Sequence, residues 1–328
     1  MMNQSAFKER VDEAWERIRG EAVRTPLCFS PTLSRMWDAR IFLKWENEQR
    51  TGSFKFRGAL NKLLSLSDEQ KRKGIFSAST GNHGLGLSLA AQMNGIELTL
   101  FLPEKAAPEK VKKLKEFKVH LNFFGSSCEK AEMHARQAAQ EQGKVYVSPY
   151  NDFDIVYGQG TLGIEIFKDL PDVEAVLVPV GGGGLISGLA GYLKAVNPMI
   201  QIFGVEPANS SFMSASLTAG RIVDIEEGET LADAVAGGIE PGAITFPLCQ
   251  KYVDGFLTVP EDSLEEALAL LFQVHHKVVE GAGALPLAGL METPEKFQGR
   301  RVVLLVSGGN IAGDLFLKIV RRRSGLKF

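Results

Sequence analysis

Four consecutive glycines occupy positions 181–184. Ala175-Val176-Leu177-Val178-Pro179-Val180 precedes them, and Leu185-Ile186-Ser187-Gly188-Leu189 follows. A buried strand, a turn without side chains and a helix start are therefore joined directly. At such a turn backbone N–H groups converge on an anion, and the helix dipole adds partial positive charge. A side chain there would block the approach and narrow the available dihedrals. A flexible surface loop is the plainer alternative. The tight flanking by a β-branched strand and an amphipathic helix weighs against it. The segment reads as a phosphate site.

The same alternation runs through the rest of the chain. Strands are predicted over 41–46, 74–79, 97–102, 119–124, 144–147, 175–180, 201–205, 256–259 and 301–306. Helices are predicted over 82–94, 129–142, 157–170, 185–196, 264–278 and 312–322. Ser126 with Glu129, and Ser67 with Gln70, have the spacing of capping boxes. Near-continuous Val/Ile/Leu strands between helices imply parallel sheets covered on both faces. A chain of 328 residues has room for about two domains. The expected fold class is α/β: two domains, each an open, mostly parallel twisted sheet covered by helices, with the ligand in the cleft between them. The expected boundaries are 1–48 plus 148–328 for a large domain and 49–147 for a small one.

Composition removes several functions. A net charge of −2 gives no basic field for nucleic acid or an anionic membrane. Arg321-Arg322-Arg323 is short and suits the end of a last helix. Residues 1–20 are charged and amphipathic, unlike a secretory leader, and no apolar run is long enough to span a bilayer. Cys28, Cys128 and Cys249 are odd in number and far apart, without metal-ligand spacing. A reducing, cytoplasmic setting is expected.

Three further segments carry chemistry. In Thr51-Gly52-Ser53-Phe54-Lys55-Phe56-Arg57-Gly58-Ala59, a lysine stands between two phenylalanines. Apolar surroundings lower a lysine pKa and favour the neutral amine that a Schiff base needs. Taken alone, a surface lysine that snorkels to water is the commoner reading. In Ser77-Ala78-Ser79-Thr80-Gly81-Asn82-His83-Gly84, hydroxyls, an amide and free N–H groups at a helix start make a carboxylate receptor or a plain N-cap. His83 is a candidate base, though a histidine there is more often structural. Val306-Ser307-Gly308-Gly309-Asn310 again places a hydroxyl where a strand meets a helix.

Together, a phosphate cradle, a lysine in an apolar setting, an asparagine loop and a third strand-end hydroxyl fit one ligand, pyridoxal phosphate. Ser53–Ala59, Ser79–Gly84, Gly181–Leu185 and Ser307–Asn310 resemble the signature of fold-type II pyridoxal-phosphate enzymes. They are most similar to the serine/threonine dehydratase and serine racemase group. Thr25-Pro26-Leu27, Leu43-Lys44-Trp45-Glu46-Asn47 and Gly158-Gln159-Gly160-Thr161 also fall in order. The resemblance implies a tryptophan synthase β-like fold and gives the residues roles. Lys55 would carry the cofactor and act as catalyst with Thr80. Phe54 would pack beside the cofactor, Asn82 would bond its ring hydroxyl, and Ser307 would face its ring nitrogen. Gly181, Gly182, Gly183, Gly184 and Leu185 would hold the phosphate through N–H groups. Ser79, Thr80, Gly81, His83 and Tyr150 would lie near the substrate. A serine partner cannot protonate the ring nitrogen, so the ring is a weaker electron sink. That favours prompt loss of a β leaving group.

Two departures sharpen the reading. Serine racemases carry Ser where Thr80 stands, and the added methyl stiffens this side chain. The group's divalent-cation site would begin at Glu206, but Phe212 occupies the place of a second acid. No metal is expected, and Glu280 reads as a helix N-terminal charge. The implied activity is that of a lyase: a β-hydroxy amino acid of threonine or serine type becomes a 2-oxo acid and ammonia through an aminoacrylate. The alternatives are a serine or aspartate racemase, a β-replacement synthase, or a non-catalytic cofactor binder. Residues 149–152 and 234–237 should line the side-chain pocket, and no arginine there awaits a second carboxylate. The resemblance also implies a homodimer or homotetramer. About twenty residues follow Ser307, too few for the C-terminal regulatory domain of long threonine dehydratases, so feedback control is not expected.

Overall fold

The computed structural model describes residues 3–324. Ten strands run β1 (Leu27–Phe29), β2 (Arg40–Trp45), β3 (Ile75–Ala78), β4 (Leu98–Leu102), β5 (His120–Phe123), β6 (Val145–Tyr146), β7 (Ala175–Pro179), β8 (Gln201–Pro207), β9 (Gly255–Val259) and β10 (Arg301–Val306). They form a six-stranded sheet of order β1-β2-β10-β7-β8-β9 and a four-stranded sheet of order β5-β4-β3-β6. All pairings are parallel except β1 with β2.

The central strands show why the pattern reads as continuous apolar runs. Ala175 and Leu177 of β7, with Val302 and Leu304 of β10, enter one core, against Leu264, Leu285 and Ile319 of the helices Glu261–His275, Gly281–Glu292 and Gly313–Ser324. Val176, Val178, Val303 and Leu305 enter the other, against Phe7, Val156 and Leu189 of Gln4–Ile18, Phe153–Asp169 and Gly184–Val196. A strand buried on both faces has no polar positions to alternate with. The small sheet is likewise covered on both faces. Leu98 and Leu100 meet Leu60 and Leu87, while Phe76 and Phe101 meet Ala131 and Ala135.

Several boundaries differ from the sequence reading. β1 was not predicted: it is three residues long, partly exposed and antiparallel at an edge, too short for periodicity. The helix expected over 264–278 is Glu261–His275, and His276 closes it with a left-handed φ of 54°. The helix expected from residue 157 starts at Phe153, where Asp152 accepts from the N–H groups of Asp154 and Ile155. Ser127, not Ser126, caps Cys128–Gln142, accepting from Lys130 N. At Ser67 and Gln70 both reciprocal capping-box bonds are present. Arg322 and Arg323 sit in the last turn of Gly313–Ser324 and pair with Glu265 and Asp262. Among the described residues no helix is long and apolar enough to cross a membrane.

A buried ionic cluster fixes the helix Lys55–Ser65 against both β2 and Phe153–Asp169. Arg57 donates to Glu46 at 2.8 Å and to Glu165 at 2.6 Å, and Lys44 donates to Glu165 at 2.6 Å. All four side chains are at most 1% exposed, and two cations balance two carboxylates. Burial opposes charging of both Arg57 and Glu46, but their mutual attraction wins. It holds Arg57 above and Glu46 below their ordinary ranges.

Candidate active site

The carboxyl ends of β7 and β10 lie side by side, and there the sheet opens into a cavity of about 170 Å³. Phe54, Lys55, Asn82, Tyr150, Gly181, Gly182, Gly183, Gly184, Leu185 and Ser307 line it together. Pro149 and residues 234–237 line it too. Ligands in open parallel sheets bind at such strand ends.

Lys55 begins its helix directly after Phe54. Phe54 N donates to Ser307 O at 3.0 Å, and Ser53 bridges to Gly308, so the lysine is tied to the end of β10. Its Nζ donates to Pro149 O at 3.0 Å and lies 5.2 Å from the Phe54 ring centre. Burial lowers its pKa to about 8, against the raising charge of Glu280. The amine is therefore far easier to free of its proton than a surface lysine.

The glycine turn faces it. Gly183 stands before Gly184–Val196 with φ 82°, a conformation that favours glycine, and no side chain caps that helix. The first N–H groups of a helix lack intrahelical acceptors and remain for an anion. A Cβ on Gly182 would lie 2.4 Å from the Tyr150 ring, and one on Gly181 2.6 Å from Val235 O. Any side chain would fill the cradle. The Tyr150 hydroxyl accepts from Glu240 N at 2.9 Å, so its ring, more than its hydroxyl, is presented to the cavity.

The asparagine loop divides. Asn82 reaches the cavity, whereas Ser79, Thr80, Gly81 and His83 are not in its lining. Ser79, Thr80 and Gly81 are partly exposed in the turn after β3, and Ser79 Oγ accepts from Gly81 N at 3.2 Å. His83 is 3% exposed, and its Nε2 lies 3.2 Å from Ser77 Oγ and 3.3 Å from Val147 O. Burial and then the Lys55 charge lower its pKa to about 3. Its Nε2 faces the strand side and not the cavity, and burial weakens it as a base, so the ring braces the loop.

Glu280 corrects the sequence reading. It stands at the N-cap of Gly281–Glu292, yet its side chain makes no capping bond and turns into the cavity. The only local hint is an acid placed before a helix of small, apolar residues. Glu206 has backbone partners: its two oxygens accept from Met213 N at 2.9 Å and Ser214 N at 3.0 Å. It closes the start of Phe212–Ala219, the helix opened by the Phe212 that replaces an acid. Among the described residues no group of three or more His, Cys, Asp or Glu could hold a metal ion.

The chain matches the model of the pyridoxal-phosphate dependent enzyme family over residues 18–308. It is 40% identical over 322 residues to an L-threonine ammonia-lyase of Thermotoga maritima, covering 97% of this chain and 80% of that one. It is 39% identical over 301 residues to a catabolic L-threonine dehydratase of Escherichia coli, covering 91% of each. Among solved structures, processed threonine deaminase isoform 2 from Solanum lycopersicum superposes with a TM-score of 0.93 at 31% identity, covering 99% of this chain and 95% of that one. Maize serine racemase gives a TM-score of 0.90 at 31% identity, covering 97% and 98%.

Proposed function

This chain belongs to the pyridoxal-phosphate dependent enzyme family, and on that premise we propose that it is an ammonia-lyase for L-threonine and L-serine. The observation that carries the reading is the facing pair of features in one cavity: an amine made easy to deprotonate and a glycine turn with unused N–H groups. These residues fit pyridoxal phosphate in size, charge and donor chemistry. When bound, the cofactor supplies an electron sink conjugated to the substrate amine.

The chain's own groups do the rest. Lys55 Nζ holds the cofactor and, once freed, takes the Cα proton of the substrate, a step worth roughly 10²–10⁴-fold. The N–H groups of residues 181–185 hold the phosphate. Ser307 presents a neutral hydroxyl to the ring nitrogen, and Asn82 keeps a second amide N–H for the ring hydroxyl. Ser79, Thr80 and Gly81 receive the substrate carboxylate, and His83 supports their turn. Thr80 keeps a hydroxyl near the substrate with restricted rotation, which suits elimination more than racemisation. The pocket wall at residues 234–237 is small and uncharged and leaves room for a methyl or hydrogen at Cβ. The division into 1–48 plus 148–328 and 49–147 follows the two sheets. A cytoplasmic homodimer or homotetramer without a metal ion completes the proposal.

The test is release of 2-oxo acid and ammonia from L-threonine, L- and D-serine, both 3-hydroxyaspartate diastereomers and phenylserine. Turnover is expected for L-threonine and L-serine, with the charged and aryl substrates far slower. A cofactor-loaded chain that releases no ammonia from either would overturn the proposal.

A further inference from the structure

Glu280 is a buried acid at the cavity for which the reaction above has no use. It is 4% exposed, and among the described residues no lysine or arginine pairs with its carboxyl within salt-bridge distance. A carboxyl so placed is costly unless its oxygens are satisfied. Here they are satisfied by two segments remote in sequence. Oε1 accepts from Asn82 Nδ2 at 2.7 Å, and Oε2 accepts from Asn310 N at 3.1 Å. Asn310 Nδ2 closes the triangle by donating to Asn82 Oδ1 at 2.7 Å. The backbone is shaped to it as well. Glu280 N donates to Gly308 O at 3.1 Å, and a Cβ on Gly308 would lie 2.4 Å from Glu280 Oε1.

We propose that Glu280 is a positioning residue for the cofactor ring. Its carboxyl aims the Asn82 amide and holds the loop after Ser307, so that both ring-facing side chains are set by one group. Its negative charge also acts on the Lys55 amine. A helix N-cap acid normally turns to its own first-turn N–H groups. This one forgoes that bond for the triangle.

The charge has a pH dependence. Burial raises the Glu280 pKa to about 7, partly offset by the Asn82 bond. The other charged groups acting on it are Asp233, which raises it, and Lys110, which lowers it; its own charge acts on Lys55. Ionised, it offers two acceptors to the two N–H donors that face it. Protonated, it loses one acceptor and withdraws its charge from Lys55.

The inference needs the bound cofactor but not the substrate assignment, and its test uses no substrate. The full chain and its Glu280→Gln, Glu280→Ala and Asn82→Ala forms are titrated with pyridoxal phosphate. The absorbance of the bound cofactor is then followed from about pH 5.5 to 8.5, on either side of the Glu280 pKa. The unmodified chain should show a spectral transition near pH 7. Glu280→Gln should abolish that transition while binding the cofactor more tightly than Glu280→Ala. Glu280→Ala should weaken cofactor binding about tenfold or more. The double variant Glu280→Ala/Asn82→Ala should bind no more weakly than Asn82→Ala alone, since the two act as one unit. A transition that survives in Glu280→Gln, or alanine effects that multiply, would overturn the inference. If the alanine form does not fold, the isosteric glutamine form still decides through its spectrum.

Discussion

At the scale of single residues, function and stability pull against each other at Lys55. Its folded pKa is depressed from 10.5 to about 8. A depressed pKa means that its stability contribution is present above the unfolded value and lost as pH falls through the folded one. In the cofactor-free chain, Lys55→Met should therefore raise stability at pH 7, and the advantage should vanish above pH 10.5. The same variant should lose turnover by at least about 10²-fold. Denaturant midpoints at the two pH values check the first part; an equal effect at both would contradict it. Lys55 was legible only in combination: its apolar neighbours Phe54 and Phe56 gained meaning beside the glycine turn, the asparagine loop and Ser307. Glu280 was not, because its partner Asn82 lies 198 residues away and only the fold joins them. His83 read as more often structural than basic, but its partners Ser77 and Val147, which approach from the strand side, were not legible.

Among the elements, long, doubly buried strands were legible because burial on both faces leaves an unbroken apolar run, as in β7 and β10. The short edge strand β1 carries no such run and was missed. The four-residue ionic cluster was also hidden, since Lys44, Glu46, Arg57 and Glu165 look like ordinary surface residues in sequence. Its function is to lock the helix that begins with Lys55. Arg57→Met leaves one buried lysine to two buried carboxylates and should cost about 3–5 kcal/mol, because removing one partner leaves uncompensated charge. Equilibrium denaturation of the cofactor-bound protein measures this. A loss below about 1 kcal/mol would show that the cluster relaxes or admits water.

For the whole molecule, chain order separates β3–β6 from β7–β10, but it shows neither that β1 and β2 join the sheet of β10 nor the ties between the sheets. The cavity wall at residues 234–238 is fastened at both flanks to helices of the small sheet. Asp233 pairs with Lys110 of Pro108–Leu114 at 2.8 Å, and Glu240 pairs with Arg136 of Cys128–Gln142 at 2.7 Å. Glu240 N in turn donates to the hydroxyl of Tyr150, a cavity residue. Each pair is partly exposed and should be screened by salt. The double variant Lys110→Met/Arg136→Met should raise KM for the best substrate by about two- to tenfold with a smaller change in kcat. An unchanged KM with lowered Tm would mean that the pairs only stabilise.

The proposed chemistry requires that one amine, that of Lys55, carries the cofactor. Borohydride reduction of the cofactor-bound chain, followed by peptide mass mapping, tests that requirement most directly. The account predicts one reduced pyridoxyl phosphate per chain, on Lys55. Labelling of another lysine, or none while the cofactor remains bound, would contradict it.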